Sequence, residues 1–399
     1  MRKKRILVCC DYYLPGFKSG GGMLTVANLV ERFGDGYDFF VFTRNHDGPN
    51  DRTPYSGVKT GQWNRQAKAT VFYASPAKIG PRIIADIVAE SQPDAVFLNS
   101  AFSKPVRSFL EARRKKLIAE IPAILAPCGE LSAGALSLKP LKKKLFLLYA
   151  RTVGLYDGVI WKGSFEAERK EIYDQIGRDV EVMIAPDLAP RTILPNFDPA
   201  RKPSKRRGSA RFAFLSRISR KKNVHFLLEL LRAINDGEIY LDLIGPIEDD
   251  RYWQQCEAII RELPENVHVT PAGGLHQSEA LDRLRQSHFF VLPTLHENFG
   301  YVFIEALAAG CPILVSENTA WGEVEEKRIG WVMPLESPEA WVERLRGCIE
   351  MGTDEYEQMS AKARAFAVEW LGRPEHEEAT AAVLERALGL RANAAENGI

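Results

Sequence analysis

The sequence predicts an α/β protein of two domains, each with a parallel β-sheet covered by helices. Three observations support this prediction. The chain has 399 residues, about twice the length of a typical domain. Short apolar runs alternate with segments of helical periodicity, as in parallel sheets with helical crossovers. A Pro-, Arg-, Lys- and Ser-rich segment at 195–208 divides the series into two halves and is interpreted as a linker.

Eleven strands are predicted. They span 6–10, 38–43, 69–73, 95–99, 123–127 and 158–161 in the first half, and 211–215, 240–245, 267–270, 289–293 and 312–316 in the second. The Ala-, Glu- and Arg-rich tail has helical periodicity, and Gly372 and Pro374 predict a break within it. We therefore expect an N-terminal domain at 1–200, a C-terminal domain at 208–365 and a helical segment at 366–399.

Composition excludes several classes of protein. Lys and Arg number 53 against 52 Asp and Glu, so the net charge gives no reason to expect a nucleic-acid partner. The six cysteines are scattered, without zinc-site spacing, which fits a reducing cytoplasm. The apolar run at 6–10 turns polar at Asp11, too soon for a signal peptide. With no apolar run of about 20 residues, any membrane contact is expected to be peripheral.

The densest motif extends from His296 to Pro312. A predicted buried strand runs into it, and a helix is expected to begin near Gly300. That placement puts Glu297 in a loop at the carboxyl end of a parallel strand, where open α/β sheets bind ligands. Glu305 falls one to two turns into the helix, whose first N–H groups suit an anion. Two glutamates at this spacing also occur on solvated helices, so the surrounding strand, Phe299-Gly300 and the closing Gly310 carry the argument.

Two further segments suit phosphate binding. Arg217 and Lys222 follow the first predicted strand of the second half, and fixed cations at that point can bind a diphosphate. A solvated basic loop is the alternative. Gly20, Gly21 and Gly22 follow the first strand of the chain, where glycine allows a backbone to approach a ligand. A flexible turn is the alternative, and the spacing lacks the G-x-G-x-x-G pattern of dinucleotide sites.

Together these motifs resemble the retaining glycosyltransferases of family 4. The resemblance implies a GT-B fold, with two Rossmann-like domains facing each other across a cleft and the terminal helix crossing back to the first domain. It also implies that Glu305 accepts hydrogen bonds from the donor ribose, that Glu297 faces the transferred sugar, and that the backbone amides of Asn298, Phe299 and Gly300 hold the sugar and distal phosphate.

The same resemblance assigns the remaining donor contacts. Arg217 and Lys222 fall on the positions of the arginine and lysine that bind the donor diphosphate in this family. Gly21 and Gly22 fall in its glycine-rich loop, across the cleft from the donor. Transfer would retain the anomeric configuration without a metal or other cofactor, and with no dedicated side-chain base.

A softer match covers 126–146 and is similar to bacterial polysaccharide and lipopolysaccharide transferases. It contains Glu130, a candidate acceptor or sugar ligand, although loop carboxylates often cap backbone instead. His46 is a second candidate, with a turn histidine as the alternative. Lysines at 139 and 142–144, with the basic residues at 113–116, are candidates to meet anionic lipid or a lipid-linked acceptor. A solvated helix face is equally compatible with them.

The sequence therefore predicts a cytoplasmic enzyme, peripheral to the membrane if it contacts one. It would move a hexose-type sugar from a nucleotide-diphosphate sugar to a glycan or lipid-linked acceptor in cell-surface polysaccharide biosynthesis. Two alternatives on the same fold are a catalytically inactive sugar-binding subunit and a nucleotide-sugar epimerase. A nicotinamide-dependent oxidoreductase is a weaker alternative, because the fingerprint glycines are missing.

Overall fold

The chain divides into two compact units. A computed structural model describes residues 2–48, 51–137, 140–190, 193 and 202–389. The first unit contains Met1–Leu188 together with Pro374–Ile399, and the second contains Ala189–Arg373. The divisions thus lie at 188/189 and 373/374, several residues from the expected positions. The first unit is discontinuous in sequence, with the second inserted into it.

The first unit is an eight-stranded sheet with helices on both faces. Its strands are β1 (Arg5–Cys9), β2 (Asp38–Arg44), β3 (Trp63–Gln66), β4 (Ala69–Ala74), β5 (Ala95–Asn99), β6 (Ala123–Ala126), β7 (Val159–Gly163) and β8 (Val182–Ile184). Its helices up to residue 188 are α1 (Gly21–Phe33), α2 (Pro81–Ser91), α3 (Lys104–Arg114), α4 (Ala133–Ser137), α5 (Pro140–Thr152) and α6 (Glu166–Gln175). The strand order is β3-β4-β2-β1-β5-β6-β7-β8, and β3 pairs antiparallel with β4 while the other pairs are parallel.

Strand β1 lies at the centre of this sheet and shows why it forms. Alternate residues of a strand point to opposite faces. Leu7 and Cys9 pack into the core on one face, and Ile6 and Val8 pack into the core on the other. All four are fully buried. A strand buried on both faces reads as a continuous apolar run, which is the pattern that predicted it.

The second unit is a six-stranded sheet in which every strand pair is parallel. Its strands are β9 (Ser209–Leu215), β10 (Glu238–Ile244), β11 (Val267–Gly273), β12 (Phe289–Leu292), β13 (Ile313–Ser316) and β14 (Gly330–Met333). Its helices are α7 (Val224–Arg232), α8 (Asp250–Arg261), α9 (Gln277–Arg285), α10 (Tyr301–Ala308), α11 (Pro338–Glu350) and α12 (Thr353–Gly372). The order β11-β10-β9-β12-β13-β14 is the 3-2-1-4-5-6 order of Rossmann sheets, with the order reversing between β9 and β12.

All eleven predicted strands are present, and three strands were missed. Strand β3 is a polar edge strand (WNRQ) without an apolar run. Strands β8 and β14 have only three and four residues. Each of them adds at an edge of its sheet, where pairing to a neighbour replaces the long apolar run that a central strand needs.

Residues 202–208 pack on the second unit, so this part of the expected linker is wrong. The Lys205 ammonium donates hydrogen bonds to the carbonyls of Arg206, Ile349 and Met351 at 2.8, 2.9 and 2.8 Å. Lys202 donates to the carbonyl of Ala309 at 2.9 Å. Two of these carbonyls, at 309 and 349, lie at the carboxyl ends of α10 and α11, where cations are favourable. Residues 194–201 lie outside the described part of the chain.

The closing helix α13 (Pro374–Ala387) belongs to the first unit. The chain leaves α12 at Gly372, and the break falls at Arg373, as Pro374 predicted. Val383, Leu384 and Ala387 are buried in the core that also contains Ile6 and Val8. Arg386 holds Glu181 with two hydrogen bonds of 2.9 and 3.0 Å. Across the described residues, no helix is long and apolar enough to cross a membrane.

His288, just before β12, makes the stability of the second unit depend on pH. Its Nδ1 accepts the N–H of Arg211 at 3.1 Å, and its Nε2 donates to the carbonyl of Pro203 at 3.1 Å. Burial lowers the pKa of His288 to about 4. Protonation therefore favours the unfolded chain, so the neutral ring's contribution is complete above about pH 6.5 and is lost toward pH 4.

We expect the free energy of unfolding to fall by about 2–3 kcal/mol between pH 7 and pH 4 through His288. Denaturant unfolding at several pH values, with wild type and His288→Gln compared, measures this contribution as the difference between the two pH slopes. Equal slopes would show that the ring does not stay neutral.

Candidate active site

The two motif loops of the second unit meet at the point where the strand order reverses. The loop after β9 and the loop after β12 leave neighbouring parallel strands at the same edge of the sheet. The Leu295 N–H donates to the carbonyl of Lys221 at 2.8 Å, and the Thr294 hydroxyl donates to the same carbonyl at 3.2 Å. Because this reversal leaves a crevice outside the strand ends, it is where doubly wound sheets bind ligands.

A buried ion pair joins these loops. The Lys222 ammonium contacts the Glu297 carboxylate, and their side chains are only 8% and 15% exposed. Burial raises the pKa of Glu297, but the ammonium groups of Lys222 and then Lys221 outweigh it and hold this pKa below its ordinary value. The Glu297 N–H donates to the carbonyl of Asn318 at 2.9 Å. The structure thus brings together two residues that lie 75 positions apart in the sequence.

Local backbone geometry puts Lys222 in this position. The segment Arg220–Lys222 forms a single 3₁₀ turn, which Asn223 ends in the left-handed conformation with φ 63°. Asparagine tolerates that conformation better than most residues. Helix α7 starts at the next residue, so the turn reverses the chain within four residues and leaves Lys222 buried against the opposite loop.

Gly300 makes room for the Glu297 side chain in the loop after β12. It has φ 68° and precedes α10. A Cβ at this position would lie 2.5 Å from a ring carbon of Phe303 and 2.9 Å from Cγ of Glu297. Only glycine allows both the left-handed backbone and this close contact. The expected helix start near residue 300 is confirmed, and the position explains the glycine in the motif.

Asn298 and Phe299 lie between Glu297 and Gly300 in the sequence. Phe299 is buried, and its ring contacts those of Tyr301, Trp321 and Trp370. The indole N–H of Trp321 donates to the carbonyl of Phe299 at 2.7 Å. The Phe299 side chain therefore anchors the loop in an aromatic cluster.

Glu305 is buried on α10, five residues beyond Gly300. Its carboxylate accepts a hydrogen bond from the Gln277 amide at 2.9 Å. Burial raises the pKa of Glu305, with the Gln277 hydrogen bond acting against it. Gln277 is the first residue of α9, and sequence reasoning missed it because the contact spans 28 positions without a local signal. With the Gln277 amide as one donor, the buried carboxylate has further oxygen lone pairs that can accept hydrogen bonds from hydroxyl groups.

Arg217 lies two residues beyond β9 and pairs with a residue that was not predicted. Its guanidinium contacts the Glu248 carboxylate at 3.0 Å, with about a third of each side chain exposed. An ion pair with this degree of exposure is weak. The guanidinium is therefore able to exchange a carboxylate for another anion.

His296, beside Glu297, is a further residue that the motif contained but the prediction did not use. Within the described part of the chain, its Nε2 is buried and has no hydrogen-bond partner. Burial lowers the pKa of His296 to about 4, with Lys221 adding to the effect and Glu297 opposing it. A neutral imidazole with a buried, unused nitrogen is available to bond a hydroxyl group of a ligand.

The glycine run of the first unit starts a helix. Gly20 has φ 74°, and Gly21 and Gly22 are the first residues of α1. The Asn99 amide, at the end of β5, donates to the carbonyl of Gly22 at 2.9 Å. First-turn N–H groups have no partner within their helix. This helix end lies where the order of the first sheet reverses between β1 and β5, the equivalent of the β9/β12 position.

Glu130 and His46 lie in two loops of the first unit, which follow β6 and β2. Glu130 accepts hydrogen bonds from the Ser100 hydroxyl at 2.8 Å and the Phe102 N–H at 3.1 Å. Burial raises its pKa, and these two bonds oppose the rise. His46 is buried, with Nδ1 3.0 Å from the carbonyl of Gly48. Both side chains thus contact loop backbone, which is the alternative that the sequence left open.

A second buried glutamate of the first unit was missed. Glu168 accepts the N–H groups of Gly129 and Ser164 at 2.6 and 2.7 Å. It fixes the backbone beside Glu130 from helix α6. The signal was weak, since a lone glutamate on a helix usually faces solvent.

A depression of about 1010 Å³ lies elsewhere in the first unit. It borders the amino-terminal ends of β6, β7 and β8 and the end of α13. Doubly wound sheets bind ligands at the opposite, carboxyl edge, so this depression is separate from the candidate site. Among the described residues, no group of three or more His, Cys, Asp or Glu side chains could hold a metal ion.

Comparison with known proteins defines the class. Residues 197–366 match the family of glycosyl transferases group 1, and the whole chain resembles solved glycosyltransferases. One of them is sucrose-phosphate synthase from Thermosynechococcus elongatus, with a TM-score of 0.72 and 16% sequence identity. The alignment covers 97% of this chain and 100% of the synthase chain. The chain therefore has the GT-B fold, and the match to the group 1 glycosyl transferases lies within its second unit.

Two particular proteins are similar to this chain. WcaL of Escherichia coli (strain K12), named as a colanic acid biosynthesis glycosyltransferase, is 25% identical over 161 residues. The aligned region spans 38% of this chain and 38% of WcaL. Anabaena HepE, solved with UDP and glucose, is 15% identical, with a TM-score of 0.68. The alignment covers 96% of this chain and 99% of the HepE chain.

Replacing Gly300 tests the geometry around Glu297. Gly300→Ala combines a left-handed backbone, which costs about 1–2 kcal/mol, with the contacts to Phe303 and Glu297 described above. We expect the free energy of unfolding to fall by about 3 kcal/mol, measured by denaturant unfolding. Gly273→Ala is the matched control, because Gly273 also has φ 68° but open space around its Cβ. Equal losses in the two variants would show that Gly300 is needed only for its backbone.

Proposed function

We propose that this protein is a retaining glycosyltransferase. It would move a hexose-type sugar from a nucleotide-diphosphate sugar to a glycan or lipid-linked acceptor in cell-surface polysaccharide biosynthesis. The observation that carries the proposal is the pairing of Lys222 with Glu297 at the strand-order reversal of the second unit, with Glu305 on the helix that follows. The group 1 domain and the name of WcaL support the same reading.

In this proposal, the second unit binds the donor. Glu305 accepts hydrogen bonds from two ribose hydroxyls while Gln277 holds its other side. The backbone of Asn298, Phe299 and Gly300, at the start of α10, receives the sugar and distal phosphate. Arg217 exchanges Glu248 for the diphosphate, because a phosphate accepts two guanidinium bonds and carries more charge.

Lys222 acts on the leaving group. As the bond from the sugar C1 to the phosphate oxygen breaks, negative charge grows on that oxygen, and an ammonium group already in place stabilises it. The acceptor oxygen bonds to C1 on the same face and passes its proton to the departing phosphate. Neither a side-chain base nor a metal is needed, and Glu297 holds the Lys222 side chain in position.

The first unit is left to bind the acceptor in this proposal. Its helix α1 begins with Gly21 and Gly22, and Glu130 lies on a nearby loop held by Ser100. His46 is the other candidate. The donor half of the reaction is supported by more contacts than the acceptor half.

Lys222→Ala tests the proposed chemistry. Loss of a preorganised charge at the leaving group is expected to lower kcat on the order of 10²-fold or more. Release of UDP from UDP-glucose, with and without added glycan acceptors, measures this. Arg220→Ala is the matched control: Arg220 belongs to the same turn but bonds Gln255 on α8 at 3.1 Å, so its loss should leave turnover near normal.

Unchanged turnover in Lys222→Ala would contradict the proposed role of Lys222 at the leaving group. The assay is run in a chelator, where we expect full activity, and strict dependence on added Mg²⁺ or Mn²⁺ would contradict the metal-independent mechanism. A protein that binds the nucleotide sugar but neither transfers nor hydrolyses it would be the inactive subunit.

Glu305→Gln separates binding from stability. Gln can still accept the Gln277 bond but lacks the negative charge that favours ribose hydroxyls, so the Kd for UDP should rise about tenfold by calorimetry. Because burial penalises the ionised carboxylate, neutralising it should leave the melting temperature equal or higher. Glu339→Gln, at an exposed position of α11, is the control. Unaltered UDP affinity would exclude Glu305 from the donor site.

A further inference from the structure

Helix α5 carries an exposed apolar face. Leu141, Leu145, Leu148 and Tyr149 are 71%, 58%, 64% and 41% exposed. Isolated exposed leucines are ordinary, but four large apolar side chains on a helix of 13 residues form a continuous patch. Such a patch marks an interaction surface.

The patch lies opposite the face that packs on the protein. Leu147 and Ala150 are buried in the first unit's core. At about 100° per residue, Leu141, Leu145 and Leu148 share one side of the helix, on the far side from that pair. Helix α5 is therefore apolar on two opposite faces, and only the inner one is covered by its own unit.

Cations border the exposed face on both sides. Lys142 and Tyr149 lie along one border, and Lys144 and Arg151 along the other, all of them exposed. The helix contains no acidic residue. An exposed apolar stripe with Lys142 on one side and Lys144 and Arg151 on the other suits the surface of an anionic bilayer, where leucines enter the acyl region and cations meet headgroup phosphates.

We propose that α5 docks the first unit on an anionic lipid bilayer, lying in its surface. Thirteen residues extend only about 20 Å, too short to span the hydrocarbon core. A second copy of the chain would bring the cations of two α5 helices together, which is unfavourable. A nucleic acid would use the cations but leave the leucines exposed. The bilayer satisfies both features.

The inner side of α5 contacts a residue that bonds one acceptor candidate, Glu130. The Phe146 ring on α5 packs edge-on against Phe102 at 5.7 Å, and the Phe102 N–H bonds Glu130. Lys143, on the inner side, lies 5.1 Å from the Phe102 ring centre. An acceptor with a lipid tail would thus enter from the bilayer next to Glu130. This last step rests on the proposed function, whereas the docking itself does not.

Vesicle sedimentation with the full chain tests the docking. Wild type should bind vesicles with about 30% phosphatidylglycerol more tightly than pure phosphatidylcholine, and less tightly in high salt. The triple variant Leu141→Ser, Leu145→Ser, Leu148→Ser should lower the partition coefficient on the order of 100-fold. Lys142→Ala with Lys144→Ala and Arg151→Ala should remove the preference for anionic lipid. Val368→Ser, at a residue 45% exposed on α12, is the control and should bind as wild type does.

Three results would overturn the proposal. These are wild type that does not sediment with vesicles, a triple leucine variant that binds as well as wild type, and a concentration-dependent dimer in solution that the triple variant abolishes. The Kd of the triple leucine variant for UDP is measured by calorimetry in parallel. We expect the same Kd as for wild type, which distinguishes a loss of docking from a loss of the donor site.

Discussion

The ion pair between Lys222 and Glu297 is the contact on which the rest of the candidate site depends. Breaking a buried pair by removing one partner typically costs about 3–5 kcal/mol, because the other charge stays buried without compensation. The surrounding geometry serves this contact. The 3₁₀ turn ending at Asn223 delivers the lysine, and Gly300 leaves room for the glutamate. Hydrogen bonds from Leu295 and Glu297 backbone fix the loop that carries it.

Two glutamates of one motif acquire opposite properties from their surroundings. Glu297 has two lysines nearby, which lower its pKa despite burial, whereas Glu305 has only the amide of Gln277, and burial raises its pKa. Environment, not residue type, separates such roles. Neighbouring ammonium groups favour the ionised form of the Glu297 carboxylate. Burial disfavours the ionised form of the Glu305 carboxylate, and the hydrogen bond from Gln277 opposes this effect.

Much of this arrangement was readable in the sequence, and the rest depended on distant partners. The buried strand, loop and helix from 289 to 308 follow from local patterns, because a strand buried on both faces and a glycine before a helix are local constraints. Partners such as Gln277, Glu248 and Trp321 come from other elements and have no signal of their own. Residues 202–208 were misread because their lysines bind helix-end carbonyls. The leucines of α5 were visible at helical spacing, but only the fold shows which face is buried.

The position of α13 has a consequence for synthesis of the protein. Val383, Leu384 and Ala387 complete a core that begins with Ile6 and Val8, and the whole second unit is made between them. On the ribosome, the second unit can close as soon as residue 373 has emerged, whereas the unit that starts first finishes last. Until then, one apolar face of its sheet is covered by α1 but lacks α13. A chain cut short near its end would leave the first unit, not the last-made one, with an open core.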